Sequence, residues 1–581
     1  MTTSPTAFRP PSPGAWELEQ THLTRPPSVF MASVIPQSMM AGFKEGTRTY
    51  GLLLDHLEVA IINRFLYIAP RPVGAPKSAK GPPPRFVFEI LRRLHPEIRR
   101  RVRRAETVFS DRIWRQDVEQ WDREWRPALD AQARSLLADD LAAASDAQLA
   151  DHVRRAAAFL GDAAFIHHRL NFCAMLPVGD FLISAMEWTG LSAGELLQSM
   201  RGMSPVSAGA LDELAALRQA ILETPDALTL LHSGRTDAEI LAALQTRQDR
   251  VGIAARAYVD VVGLRILGGY DVADRHAREH PEMILKVIRA AVAGEDVARH
   301  AAAAQSLAKI RERVPPAHRP HFDDLLAEAR YVYRVRDERG FYGDLIASGL
   351  ARRAILAAGE RLVAQGRAID AEDLVDASPE EIVALLEGRP GPSADELAER
   401  ARWRRDTPLT AAPPTLGFAP SPPPPPEWLP PAAGRLQRIT VLVMSLMFDV
   451  HKPHEGSANA AGRAQSRADA PVVNQVPLKG FAVSPGTYEG PARVIRNIGE
   501  LPTVQHGEVL IAASTGAAFN VVLPLIGALV TERGGVLSHA AIVSREYGLP
   551  GIVGCVGAMS TLKTGMRVRV DGDKGEVWTI A

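Results

Sequence analysis

The sequence predicts a multidomain protein: a large, mainly α-helical domain followed by a small α/β domain. Three observations carry this expectation. From about residue 145 to 405 the chain is rich in Ala, Leu and Arg, and its apolar residues recur at helical spacing. After about residue 472 the pattern changes to short apolar runs separated by Gly and Pro turns. Between the two lies a stretch dominated first by Pro and then by small polar residues. The expected division is a helical domain over 1–410, a linker with one helix over 411–471, and an α/β domain over 472–581.

Length and composition narrow the class. The chain has 581 residues, room for roughly two to four domains. Lys+Arg and Asp+Glu are each 67, so the formal net charge is zero and no basic excess points to nucleic acid. Cys173 and Cys555 are the only cysteines. They exclude a disulfide framework or a Cys-based zinc site and suit a reducing cytoplasm. The start, MTTSPTAFRPPSPG, lacks a basic segment followed by an apolar run, so no secretory signal is expected. Runs such as VVLPLIGALV (521–530) are too short to span a bilayer.

In chain order, residues 1–35 read as Pro-rich and irregular, with HLTRPPS over 22–28. A patterned stretch, 42–67, ends INRFLYI. The plain reading of these two pieces is a loop followed by a core helix. RRLHPEIRRRVRR (92–104) is strongly basic. Glu97, Glu106 and Asp111 nearby favour a solvated helix face over a phosphate patch. Trp121 and Trp125 at i,i+4 would share one helix face as core. Ser145-Asp-Ala-Gln148 is a capping box. Its helix carries Leu149, Val153, Ala156 and Leu160 inward and leads to His167-His168. Adjacent histidines point about 100° apart on a helix, so they do not bind one metal together. Either can contact a ligand.

Further on, VDVVGLRILGGYD (259–271) sets Arg265 and Asp271 in an apolar run, where buried charges need partners. Arg265 either clamps phosphate oxygens with its planar fork or pairs with Asp271. ARYVYRVRDER (329–339) offers Arg336 as a phosphate contact, Asp337 as a base for a hydroxyl, and Arg339. Ser378-Pro-Glu-Glu381 is a second capping box with Pro at the first helical position. Five prolines at 422–426 make a stiff spacer, followed by a helix over 437–450 and a small, polar, flexible segment over 455–470.

The α/β domain centres on TERGGVLSHAAIVSREYGLPGIVG (531–554). A Gly534-Gly535 turn leads through Ser538-His539 into a short helix that Gly548 and Pro550 terminate. His539 thus stands at a helix start, where backbone N–H groups favour an anionic group. An imidazole is also nucleophilic near neutral pH. This segment resembles the phosphohistidine swivelling domain of the phosphoenolpyruvate-utilising enzymes, whose pattern is T-E-x-G-G-x-x-S-H-A-A-I-V-A-R-E-x-G-I-P-x-V-V-G. Ser544 and Leu549 replace the usual Ala and Ile. The loop Ser514-Thr-Gly-Ala517 departs from the family's Thr-x-Pro.

That resemblance implies a phosphotransferase in which His539 is phosphorylated, with Thr531, Gly534, Gly535 and Ser538 around the phosphoryl group. The pieces 22–28, 42–67, 259–271 and 329–339 resemble the family's acceptor-binding segments, which makes Arg265 and Arg339 expected substrate contacts, beside the His167-His168 pair read from its residue types. No Gly-rich nucleotide loop is found. The arrangement resembles the phenylphosphate synthase type, in which ATP and Mg²⁺ belong to a separate ATP-grasp subunit. The acceptor is then a small, largely apolar hydroxyl compound. A split rifamycin-type antibiotic phosphotransferase is the alternative. A non-catalytic binding or regulatory protein that retains the fold is the other.

Overall fold

The computed structural model describes residues 7–580 except 21, 24, 205, 207–209, 268, 270, 295–302, 421 and 449–476. The flexible segment expected at 455–470 lies outside the described residues. The chain divides into two compact units. Unit 1 comprises 1–178, 264–276 and 331–439, and unit 2 comprises 179–263, 277–330 and 440–581. The helices expected over 1–410 are thus shared between both units.

Unit 1 combines helices with a four-stranded antiparallel sheet of order β2-β3-β1-β4: β1 Ala15–Leu18, β2 Leu54–Ile62, β3 Phe65–Pro72 and β4 Thr415–Gly417. Its core holds Trp16, Leu18, Ile62, Phe65 and Tyr67. Two sequence expectations are corrected here. The first 35 residues are not all irregular, because they include β1 and the start of α1, Val29–Tyr50. The stretch 42–67 is not one core helix. It closes α1 and then forms the β2–β3 hairpin. Asn63 and Arg64 both have positive φ (51° and 70°), the backbone of a tight turn whose twist matches the flanking strands.

Helix α2, Asp146–Arg169, starts at the expected Ser145 capping box and packs against α1. The second capping box, at Ser378, is also formed. The basic run divides over two helices, Arg85–Leu94 and Pro96–Ser110. One of its members is not solvated: Arg101 is 1% exposed and donates to Leu52 O, Asp55 and Glu97. Trp121–Trp125 is π-helical, so four-residue spacing no longer defines a face there. Trp121 alone is fully buried, and its Nε1 donates to Glu338 at 2.8 Å. Helix α3, Arg319–Arg339, runs through a second π-helical turn, Gly340–Leu345, into α4, Ile346–Ala364. The helical stretch 146–189 is long and apolar enough to cross a membrane, contrary to the reading of short runs alone, but 67% of its apolar window is buried inside the protein.

Unit 2 contains helices of 179–330 and the α/β domain. The domain's eight strands are β5 Leu478–Lys479, β6 Phe481–Ser484, β7 Thr487–Ile495, β8 Val509–Ala512, β9 Ala528–Thr531, β10 Gly551–Val553, β11 Arg567–Asp571 and β12 Glu576–Thr579. They form one mixed sheet, order β5-β12-β11-β7-β8-β9-β10-β6. The centre, β7-β8-β9-β10, is parallel. Strands β8 (VLIA) and β9 (ALVT) are buried at every position, as continuous apolar runs covered on both faces must be. The core gathers Ala492, Val494, Val509, Ile511, Val530 and Ile552.

Candidate active site

His539 is the first residue of α5, His539–Tyr547. Ser538 caps this helix in extended conformation, its hydroxyl accepting from Ala541 N. The helix closes where expected, at Gly548 with φ 63°. The loop before it is held in three ways. Gly534 has φ 108°, which a side chain strongly disfavours. A Cβ on Gly535 would lie 2.0 Å from Leu446 O, and the same carbonyl accepts from Leu537 N at 3.2 Å. From inside, the buried guanidinium of Arg545 donates to Val536 O at 3.1 Å. The result is a fixed ledge of backbone leading into the helix start, with the His539 ring half-buried on it.

The ring is oriented by a residue that sequence reasoning did not select. Thr515 Oγ1 lies 3.1 Å from His539 Nδ1. The topology explains the meeting. Strands β8 and β9 are parallel neighbours with Ala512 opposite Thr531, so the loops that follow them leave the same edge of the sheet side by side. Gly534, Gly535 and Ser538 lie on the ledge beside the ring. Thr531 differs: it is fully buried at the end of β9, its hydroxyl has no hydrogen bond, and its carbonyl accepts from Cys555 N. The expected contact of Thr531 with a phosphoryl group is therefore corrected to a place in the core beneath the ledge.

The remaining predicted residues collect in unit 1, from segments far apart in the chain. His167 and His168, at the end of α2, have ring centroids 4.9 Å apart. His168 Nδ1 is 2.8 Å from Ala164 O, which fixes a proton on that nitrogen. His167 Nδ1 lies 2.5 Å from Asp344 Oδ2, an approach that is close but off the line of a hydrogen bond. Arg339, 4% exposed at the end of α3, donates to the carbonyl of His167. Arg265, 2% exposed, stacks its guanidinium over Phe341 at 4.5 Å. Asp271 accepts from Ser28 N at 2.8 Å and so anchors the end of the 22–28 loop. On that loop, His22 Nδ1 is 3.1 Å from Glu19 Oε1 and half of its side chain is exposed. Arg336 and Asp337 stand half-buried on α3, and Arg336 has no ion pair among the described residues.

Electrostatics knit this cluster. Burial lifts the Asp344 carboxyl to about 7 against the pull of His168, Arg339 and His22. Burial, with the charges of Arg339, His22 and Arg336, drives His167 well below the usual histidine range. His168 falls to about 3 for the same first reason, burial, with His167 adding to it. Burial also brings Arg339 down to about 10. At His22 burial works downward, but Glu19 and the Asp344 charge outweigh it and leave the ring raised. The missed members, Asp344, His22 and Glu19, are reached only through the π-helical turn and the folded-back loop. Among the described residues, no group of three His, Cys, Asp or Glu side chains is arranged to hold a metal.

Comparison with known proteins agrees with this geometry. Residues 504–575 match the PEP-utilising enzyme mobile domain, and residues 174–337 match the rifampicin phosphotransferase fourth domain. The α/β domain thus matches the mobile domain of the PEP-utilising enzymes. Among curated relatives, a rifampicin phosphotransferase from Streptomyces is 28% identical over 342 residues, covering 56% of this chain and 34% of that one. An uncharacterised phosphotransferase of Bacillus subtilis is 27% identical over 267 residues, 46% of this chain and 28% of its own. The phosphoenolpyruvate synthase of Pyrococcus furiosus is 43% identical over 104 residues, 18% of this chain and 13% of its own. The chain thus spans about a third or less of these relatives. Among solved structures, Thermococcus kodakaraensis aconitase X aligns with 18% of this chain and 98% of its own at 24% identity, with a TM-score of only 0.16.

Proposed function

We propose that this chain is a phosphotransferase that carries a phosphoryl group on His539 from an ATP-grasp partner to the hydroxyl of a small, largely apolar acceptor. The observation that carries the reading is the His539 ring itself: half-buried at a helix start, on a glycine ledge, with Thr515 on Nδ1. In the first half-reaction ATP, water and the imidazole give AMP, phosphate and phosphohistidine. ATP and Mg²⁺ sit on the partner in this reading, and supply the phosphoryl group. With Nδ1 engaged by Thr515, the bond to phosphorus forms at Nε2. The helix-start amides and the ledge receive the phosphoryl oxygens.

In the second half-reaction the acceptor oxygen attacks phosphorus. The P–N bond breaks and its electron pair returns to the imidazole. The relay divides one difficult transfer into two easier ones. The unit 1 cluster supplies the acceptor side, where Arg336 and Arg339 offset the charge of the moving group. A phenol or simple alcohol is the first acceptor class. A rifamycin-type acceptor is the second, favoured by the match of 174–337 to the rifampicin phosphotransferase fourth domain.

The test mixes the chain with an ATP-grasp protein and ATP labelled in the phosphoryl positions. Acid-labile label on the wild type and none on His539→Ala is the expected result. Equal labelling of both, or none on either, refutes the reading. Adding phenol or rifampicin to the labelled chain then separates the two acceptor classes by which compound takes up label.

A further inference from the structure

We infer that the proton of the acceptor hydroxyl is taken by His167, positioned by Asp344. The inference rests on the phosphohistidine reading and assigns its second half-reaction. Two observations support it. First, Asp344 Oδ2 lies 2.5 Å from His167 Nδ1, off the line of a hydrogen bond but close against that nitrogen, which leaves Nε2 for proton transfer. Second, the pair is enclosed but not sealed. The side chains of His167 and Asp344 are 22% and 15% exposed, and His22, electrostatically coupled to both, is 49% exposed.

The alternative in the cluster is disqualified by its own contacts. His168 spends Nδ1 on Ala164 O and is held neutral by burial. Asp344, on the π-helical turn Gly340–Leu345, is the carboxylate that reaches His167. The charged groups facing the dyad are Arg339 and Arg336 from α3, His168 from α2, and His22 with its partner Glu19 from the loop before α1. Burial first, and then the positive members, keep His167 unprotonated in the resting state, as a base must be.

The step balances as follows. The acceptor O–H bond breaks and its proton passes to Nε2 of His167. The oxygen pair forms the O–P bond while the P–N bond of phospho-His539 breaks. Asp344 stabilises the imidazolium that forms, and the proton then returns to solvent. With the Asp344 carboxyl titrating at about 7, the support for that imidazolium disappears as pH falls below neutrality.

The experiment uses the full chain labelled on His539 by an ATP-grasp protein, with phenol and rifampicin as probes. Asp344→Asn and His167→Gln should take up label on His539 at the wild-type rate but pass it on about 100-fold more slowly. The acid limb of the wild-type transfer profile, near pH 7, should vanish in Asp344→Asn and return in Asp344→Glu. Wild-type transfer by both variants overturns the inference while leaving the phosphohistidine reading intact. Absence of label on His539 in the wild type refutes that reading instead. A second measurement does not depend on the acceptor: ¹⁵N NMR of the imidazoles. The His167 ring nitrogens should shift with a midpoint near 7 that Asp344→Asn abolishes. A His167 signal indifferent to Asp344→Asn overturns the inference whichever probe is used.

Discussion

Thr515 is the residue on which the carrier ring depends most directly. Its hydroxyl meets Nδ1 of His539 at 3.1 Å, and the loop that presents it has no other task visible at the site. Replacing it by Val keeps the volume and removes the hydrogen bond. Labelling of His539 should slow about 10-fold, the kinetic equivalent of one lost hydrogen bond of about 1.4 kcal/mol. The melting temperature should stay within a degree or two of wild type. An unchanged labelling rate in Thr515→Val would show that the ring is oriented by something else. Asp274 gives a residue-level prediction of another kind. Burial first, and the neighbouring Asp271 charge second, lift its carboxyl to about 7. Its folded value thus lies above its unfolded value near 3.9. The stabilisation is complete below about pH 4 and is lost as pH rises through about 7. Its upper bound is on the order of 4 kcal/mol. Thermal unfolding should therefore show wild type gaining on Asp274→Asn as pH is lowered from 8 to 5. Parallel stability curves for the two proteins would show that Asp274 titrates normally.

At the scale of elements, the glycine ledge and α5 are the part the sequence displays most openly. Gly534-Gly535, the Ser538 cap and the Gly548 stop are local signals, each satisfied by its own backbone conformation. The capping boxes at Ser145 and Ser378 were legible for the same reason. The β2–β3 hairpin was missed because its turn is Asn63-Arg64, without the glycine that usually marks such a turn. Asp344 was missed because a π-helical turn changes the residue period, so no helical wheel places it beside His167. Arg101 reads as one more surface charge, and only tertiary contacts with Leu52 and Asp55 bury it. Thr515 needed knowledge that β8 and β9 are parallel neighbours, which short apolar runs do not reveal. The ledge carries its own prediction. Gly535→Ala sets a Cβ 2.0 Å from Leu446 O, so either the ledge or the helix Pro431–Phe448 must move. Destabilisation of about 2 kcal/mol is expected, together with loss of His539 labelling. A variant with wild-type melting and labelling would mean that the ledge yields without cost.

At the scale of the whole molecule, the decisive question is how firmly the α/β domain is held against the helices of its own unit. Three polar contacts do this within unit 2. Gln198 Nε2 donates to Val483 O at 2.8 Å, Gly202 N donates to Glu546 at 2.9 Å, and Lys286 Nζ donates to the carbonyls of Pro502 and Val504. Lys286 lies on the helix Pro281–Val292, and burial lowers its pKa from the ordinary lysine value. It is the only cation among these donors, and hydrogen bonds from charged groups contribute more than neutral ones, about 1.5–3 kcal/mol. In the proposed relay the domain must release this dock in every cycle, so the dock should be strong enough to define a resting state and weak enough to open. Lys286→Met keeps the apolar stem and deletes the ammonium. The Gly202 amide reports on the dock because its acceptor, Glu546, lies on the far side of it. Its hydrogen exchange should accelerate about 10-fold or more in Lys286→Met, as the open population rises by the same factor, while the amides of β8 and β9 keep their protection. Labelling of His539 should be retained, because the ledge, the ring and Thr515 all travel with the domain. If Gly202 exchanges at the wild-type rate in the variant, Lys286 is not the latch and the other contacts hold the domain.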